Sequence, residues 1–205
     1  GTIKPLPYKS YSLGDARNAF RFMAQARHIG KLLLLDDDKL IPCQLSDNQT
    51  AIRPGGKYLI TGGGGGIGEI LIRWLLERKA GSVIITGRRK RNFLKLKKSD
   101  QLKIKYVQVD VTDQQKMQHL ISDINEKNNP LRGVFHAAGI LDDGIFLTVN
   151  SARFERVLRP KIIGCRNLHE ITKNIDLDLF VLFSSVSSLA GIPGQGSYAA
   201  ANSYL

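Results

Sequence analysis

The sequence predicts an α/β fold built on a doubly wound parallel sheet. Three observations lead there: short, near-continuously apolar runs recur from Lys57 onward, amphipathic helical stretches separate them, and a glycine-rich turn joins the first run to the first stretch. Ahead of this pattern, Ser12 with Asp15 three positions on resembles a capping box. Ala16, Ala19, Phe20, Met23 and Ala26 then recur at helical spacing until Gly30. A short amphipathic helix is expected there, followed by a strand over Lys31 to Leu35. One helix and one strand cannot enclose a core, so residues 1–36 must pack on something else. Residues 37–54 are polar, hold Pro42 and Pro54, show no sustained periodicity and read as a linker to a domain at 55–205.

Within that domain, residues 58–61, 83–86, 104–109, 133–136 and 179–184 are expected as parallel strands buried on both faces. Ile67, Ile70, Leu71, Trp74 and Leu75 form one helical stripe. Met117, Leu120, Ile121 and Ile124 form a second, and Val157, Ile162 and Leu168 fall in a third. Strand alternating with helix is what winds a sheet in both directions.

Composition excludes several classes. The 205 residues are 42% hydrophobic and 23% charged, ordinary for a soluble globular protein. No apolar run approaches the roughly 20 residues of a membrane-spanning helix. The chain begins at Gly1 without a signal-peptide pattern, so a piece of a longer protein is expected. Cys43 and Cys165 stand alone, which supports neither a disulfide framework nor a zinc site and fits a reducing cytoplasm. His28, His119, His136 and His169 show no metal-ligand spacing. The net charge of +12 raises nucleic acid as a partner, but nine Lys/Arg against Asp100 alone lie between Arg88 and Lys105. That run carries no zinc-finger, RNP-like or aromatic-interleaved pattern, so nucleic-acid binding is not expected.

Thr61 is followed by Gly62-Gly63-Gly64-Gly65-Gly66-Ile67-Gly68 between a strand and a helix, the context in which a glycine motif binds a dinucleotide. The run fits both Gly-x-Gly-x-x-Gly (63, 65, 68) and Thr-Gly-x-x-x-Gly-x-Gly (62, 66, 68), and spacing leaves the register open. About 20 residues past the last glycine, where an NAD enzyme places an acid on the ribose, this chain has Arg88 and Arg89. A guanidinium pairs with a 2′-phosphate through two parallel hydrogen bonds, so NADPH is expected over NADH. Asp110 and Val111, past the third strand, either meet the adenine or, in the case of Asp110, cap a helix.

Tyr198 and Asn202 sit four apart in an alanine-rich helical segment, Ser185 ends a strand before them, and Lys161 lies in the preceding long helix. A tyrosine beside a lysine is a workable proton donor, because the cation favours the phenolate.

Taken together these residues resemble the ketoreductase domain of type I polyketide synthases and animal-type fatty acid synthases, a branch of the Rossmann-type short-chain dehydrogenase/reductase superfamily. The matching text is Thr61 to Gly68, His136-Ala137-Ala138-Gly139, Leu141-Asp142-Asp143, Pro160-Lys161, Phe183-Ser184-Ser185-Val186 and Gly194-Gln195-Gly196-Ser197-Tyr198-Ala199-Ala200-Ala201-Asn202. In most short-chain dehydrogenases the lysine follows the tyrosine by four; here Asn202 holds that place and Lys161 comes from the earlier helix, the ketoreductase arrangement.

The resemblance implies hydride transfer from NADPH to the β-carbon of a β-ketoacyl thioester on an acyl carrier protein, within a synthase whose other domains are its neighbours. It gives Tyr198 the role of proton donor, Ser185 that of hydrogen-bonding the carbonyl oxygen, Lys161 that of lowering the phenol pKa, and Asn202 that of supporting the proton relay. Thr61, Gly62, Gly66, Ile67, Gly68, Ala137, Ala138 and Gly139 are implied on the cofactor. Leu141-Asp142-Asp143 and Gln195 are implied in stereocontrol, with a D-configured product because the tryptophan of the opposite class is replaced by Ala190. His136 reads as a cofactor-side or core histidine.

Phe20 to Lys31 resembles the C-terminal end of the enoyl reductase domain that precedes the ketoreductase in fully reducing synthases. Family members continue past the position of Leu205 with further strands and a lid helix. A C-terminally incomplete domain, inactive or poorly stable when isolated, is therefore expected. Two other functions compete with the active ketoreductase: a catalytically silent NADP-binding scaffold of a synthase, and a free-standing short-chain dehydrogenase.

Overall fold

A computed structural model describes residues 7–26, 28–35, 52–89 and 98–205. The chain divides into two compact units, Gly1–Gln49 and Thr50–Leu205.

In the first unit, β1 (Tyr8–Ser12) and β2 (Lys31–Leu35) pair in parallel, with α1 (Ala16–Ala24) between them in sequence. The Ser12 hydroxyl accepts from the Asp15 N–H at 3.2 Å, the capping contact its spacing implied. The helix stops earlier than the periodicity suggested: Ala26 turns to φ +52°, which no helix accommodates. β1 has no apolar signature and was invisible in the sequence. Only Ala19 of α1 is buried.

The second unit alternates β3 (Lys57–Thr61), α2 (Gly66–Glu77), β4 (Ser82–Gly87), the short α3 (Lys98–Gln101), β5 (Ile104–Gln108), α4 (Gln114–Ile124), β6 (Leu131–His136), α5 (Ser151–Thr172), β7 (Leu179–Leu182), the short α6 (Ser187–Ala190) and α7 (Gly196–Ser203). Five strands form one parallel sheet in the order β5-β4-β3-β6-β7. The chain winds outward from β3 to β5, crosses back to β6 and winds the other way. The C-terminal ends of β3 and β6 therefore flank a topological switch point, where open α/β sheets place ligands.

Side chains alternate across the sheet. Leu59, Ile84 and Val134 point to one face, where α4 contributes Met117, Leu120, Ile121 and Ile124 and α5 contributes Leu168. Tyr58, Ile60, Ile85 and Phe135 point to the other, against Ile72 and Leu75 of α2. Ile52 joins this second core, and Arg53 pairs with Asp178 at 2.5 Å.

Two expectations are corrected. Ile67 and Ile70, placed in the buried stripe of α2, are 50% and 69% exposed, while Gly68, Ile72 and Leu75 face inward. α2 is apolar nearly all round, so periodicity could not choose its face; close packing of Gly68 on the turn does. Second, β5 and β7 are not buried on both faces, because they lie at the sheet edges. No helix among the described residues is long and apolar enough to cross a membrane.

Candidate active site

The turn between β3 and α2 is shaped by its glycines. Gly62 has φ +70°, and a Cβ there would lie 2.5 Å from the Ala138 Cα. Its N–H donates to the Thr86 carbonyl at 2.9 Å. A Cβ on Gly68 would meet the Gly63 carbonyl oxygen at 2.2 Å, so α2 lies directly on the turn. Gly66 differs: a Cβ there meets nothing in the protein, and one on Gly65 meets only the Gly62 oxygen at 3.6 Å. The protein's packing thus requires glycine at 62 and 68 but not at 66. The first-turn N–H groups of α2, which have no acceptors within a helix, border this open space. Such a cradle suits a pyrophosphate that approaches backbone closely. Ile67, half exposed, is in the same turn.

Beside it lies a cleft of about 370 Å³ lined by Gly62, Arg88, Asp110, Val111, Ala138 and Gly139, among others. Six residues singled out in separate parts of the sequence therefore meet at the switch point. Thr61, Gly66, Ile67, Gly68, Arg89 and Ala137 do not line it. The Ala137 N–H donates to the Thr61 carbonyl at 3.1 Å, and the Arg89 carbonyl accepts from the Tyr106 hydroxyl at 2.6 Å. Asp110 accepts from the Thr112 N–H and hydroxyl, both at 2.9 Å. Asp113, not Asp110, caps α4 by accepting from the Lys116 N–H. Arg156 and Arg159 of α5 also line the cleft and were missed, since nothing in their spacing distinguishes them from a solvated helix face.

Thr61 and His136 form a buried pair. The Thr61 hydroxyl and His136 Nδ1 are 2.7 Å apart, and His136 Nε2 is buried without a hydrogen-bond partner. Burial, aided by the nearby Lys161 charge, pushes the imidazole pKa down to about 4. His136 is fully buried at the end of β6.

Lys161 is buried on α5, and burial lowers its pKa. Its ammonium donates to the Phe183 carbonyl, just past β7. A Cβ on Gly139 would be 3.9 Å from this nitrogen, so the lysine head lies between the segments that follow β6 and β7. Two residues after Phe183, the Ser185 hydroxyl interacts with the Ser187 hydroxyl at 3.0 Å and accepts from the Ser187 N–H at 3.2 Å. Its neighbour Ser184 donates to the Asn202 carbonyl at 2.8 Å, fastening α7 to the end of the strand. α7 packs on both α5 and α6. On it, Asn202 Nδ2 donates to the Tyr198 carbonyl at 2.7 Å, while its buried Oδ1 has no hydrogen-bond partner. The four residues thus belong to neighbouring segments at the C-terminal side of the sheet.

The loop after β6 carries Leu141, Asp142 and Asp143. Leu141 is exposed, whereas the Asp142 carboxylate turns inward onto Arg153 and Arg156 of α5. Those hydrogen bonds hold its pKa down at about 2. Asp143 Oδ2 accepts from Gln195 Nε2 at 2.9 Å. Among the described residues no cluster of His, Cys, Asp and Glu could hold a metal. Cys165 is free; Cys43 and residues 90–97 of the basic run lie outside the described residues.

Comparison with known proteins places this geometry. The family model for the KR domain matches residues 56–205. A phenolphthiocerol/phthiocerol polyketide synthase of Mycobacterium tuberculosis is 35% identical over 218 residues, covering 100% of this chain and 10% of the relative. The squalestatin tetraketide synthase clz2 of Cochliobolus lunatus is 30% identical, covering 98% of this chain and 8% of the relative. The chain thus spans about a tenth of the length of the curated relatives it matches. Among solved structures, A-type ketoreductases from a modular polyketide synthase superpose with a TM-score of 0.68 at 36% identity, over 75% of this chain and 34% of theirs. A short-chain dehydrogenase from Streptomyces avermitilis, 19% identical with a TM-score of 0.65 over 74% of this chain and 57% of its own, shares the fold.

Proposed function

The chain belongs to the KR domain family, the ketoreductases of modular polyketide synthases, and from that premise we propose that it reduces a β-ketoacyl thioester on an acyl carrier protein, with NADPH, to the D-configured β-hydroxyacyl thioester. The observation that carries this is the Lys161 ammonium held at the Phe183 carbonyl, beside Gly139 of the cleft and two residues from Ser185.

The residues present fit a nicotinamide dinucleotide. The open space over Gly66 would hold the pyrophosphate and Arg88, lining the cleft, would hold the 2′-phosphate, with Asp110 and Val111 on the side where the adenine would sit. When bound, the reduced nicotinamide supplies the hydride that forms the new C–H bond at the β-carbon. Ser185 donates a hydrogen bond to the carbonyl oxygen, and Tyr198 Oη transfers its proton to that oxygen as negative charge develops on it. The carbonyl π-bond becomes a C–O–H group and the phenol becomes phenolate. Lys161, cationic and partly desolvated, favours the phenolate, which lowers the cost of that transfer. Asn202, with an unpartnered Oδ1, supports reprotonation of the phenolate from water.

Residues 1–36 are read as the end of an enoyl-reductase domain, joined by a linker expected over 37–54 whose last residues, from Ile52, already pack in the second unit, so the neighbouring domains of a synthase are the partners. The exposed Arg88, Arg89, Lys103 and Lys105 offer attraction to an acidic carrier protein. The test is incubation of the complete protein with NADPH and a β-ketoacyl pantetheine thioester, followed by chiral analysis. One β-hydroxy thioester per NADPH, D-configured, is expected; NADPH binding without product would favour a silent scaffold.

A further inference from the structure

The loop bearing Leu141-Asp142-Asp143 is held from beneath by two guanidinium groups, of which that of Arg153 makes most of the contacts. Arg153 Nε reaches both Asp142 oxygens, at 3.2 and 3.1 Å, and Nη2 reaches Oδ1 at 2.6 Å. The same Nη2 donates to the Asp143 carbonyl at 3.0 Å, and Nη1 to the Thr148 carbonyl at 3.1 Å. Arg156 takes the second Asp142 oxygen. Asp142, 13% exposed, therefore has both oxygens committed to α5 and none directed to a substrate. One side chain of a rigid helix fixes three points along a seven-residue stretch, from 142 to 148.

The pinned loop in turn holds the segment ahead of Tyr198. Asp143 accepts from Gln195, and the Gly144 N–H donates to the Gly194 carbonyl at 2.8 Å. The second of these links joins two residues that line a cleft of about 640 Å³, bounded also by Val149, Phe154, Ile192, Gly196 and Ser197. Ser197 is the residue before Tyr198. An acyl chain entering from the opposite side would offer the hydride the other face of its carbonyl, and the Gly144–Gly194 link joins two residues that line this cleft.

We propose that Arg153 is a positioning residue for stereocontrol: it touches neither cofactor nor acyl chain, and sets the product configuration by holding the 142–148 loop against residues 192–196. The stereochemical part rests on the reductase activity proposed above. The mechanical part does not, because it concerns only how two segments are coupled. Arginine is needed for this, since its planar fork serves a carboxylate and two carbonyls at once, which lysine's point charge does not.

The experiment compares Arg153→Gln and Arg153→Lys with the unaltered complete protein in three readouts: amide hydrogen exchange, NADPH affinity, and the ratio of the two β-hydroxy configurations. Arg153→Gln is expected to speed exchange at least tenfold in both 142–148 and 192–196. The configuration ratio should fall at least tenfold while the NADPH Kd stays within twofold, and Arg153→Lys should recover only part. Faster exchange confined to 142–148, with the ratio unchanged, would overturn the proposal. Should the Arg153 variants fail to fold, Gln195→Leu cuts the link from the other side and must lower the ratio; an unchanged ratio there also overturns it. If the unaltered protein reduces no thioester yet the exchange coupling is found, the reductase reading and the stereochemical role fall and the coupling stands.

Discussion

The Thr61 hydroxyl lies 2.7 Å from His136 Nδ1, joining the C-terminal ends of the two central strands directly beneath the glycine turn. Both side chains are fully buried. The pair does for β3 and β6 what backbone hydrogen bonds do lower in the sheet: it fixes their separation where Gly62 must pass within contact of Ala138. A neutral imidazole can donate or accept there, and a charged one would be desolvated beside Lys161.

Stability should therefore fall with acid in a defined window. The folded-state pKa of His136, about 4, lies below the unfolded value of 6.5, so the unfolded chain takes up this proton first. The contribution is complete above about pH 6.5 and is lost as the pH falls toward 4, by up to about 3 kcal/mol. Asp142, held at about 2, titrates below this window. Urea unfolding at pH 7 and pH 4.5 should show the loss, and His136→Asn should shrink it; an equal loss in the variant would assign the effect elsewhere.

Two glycine substitutions should separate folding from binding. Gly62→Ala forces a Cβ onto the Ala138 backbone at positive φ, and should cost roughly 1–3 kcal/mol or more. Gly66→Ala meets no protein atom and should melt within about 0.5 kcal/mol of the parent. Its NADPH Kd should rise at least tenfold, because the methyl occupies the pyrophosphate cradle. Calorimetry and a binding titration read the two effects; unchanged binding in Gly66→Ala would place the cofactor elsewhere.

Arg88 lines the cleft and should carry cofactor choice. A hydrogen bond to a charged group contributes about 1.5–3 kcal/mol, so Arg88→Ala should weaken NADPH roughly ten- to hundredfold and leave NADH nearly unaffected. Equal weakening of both would remove the selectivity role.

Lys161→Met keeps most of the buried aliphatic volume and deletes the cation. Turnover should fall at least a hundredfold with the NADPH Kd within threefold of the parent, because the positive charge that would face the developing phenolate is lost. Turnover near that of the parent would leave the lysine a structural group bound to the Phe183 carbonyl.

Much of the sheet was readable because β3, β4 and β6 are apolar on both faces. β1 was not, since Tyr8-Lys9-Ser10-Tyr11-Ser12 becomes a strand by pairing with β2 and not through its own composition. The inward face of α2 was unreadable for a related reason: Ile67 and Ile70 are as apolar as Ile72, and only the contact of Gly68 with Gly63 chooses between them. At the candidate site, glycines, Arg88, Lys161, Ser185, Tyr198 and Asn202 stood out by motif. Arg153 did not, because its partners Asp142, Asp143 and Thr148 precede it in a loop whose path no local pattern specifies.

The most direct measurement is Tyr198→Phe in the complete protein, with thioester reduction and NADPH binding followed side by side. Loss of turnover by at least a hundredfold with an NADPH Kd within threefold of the parent is the predicted result. Turnover near that of the parent would contradict the account, because the proton would then come from another group.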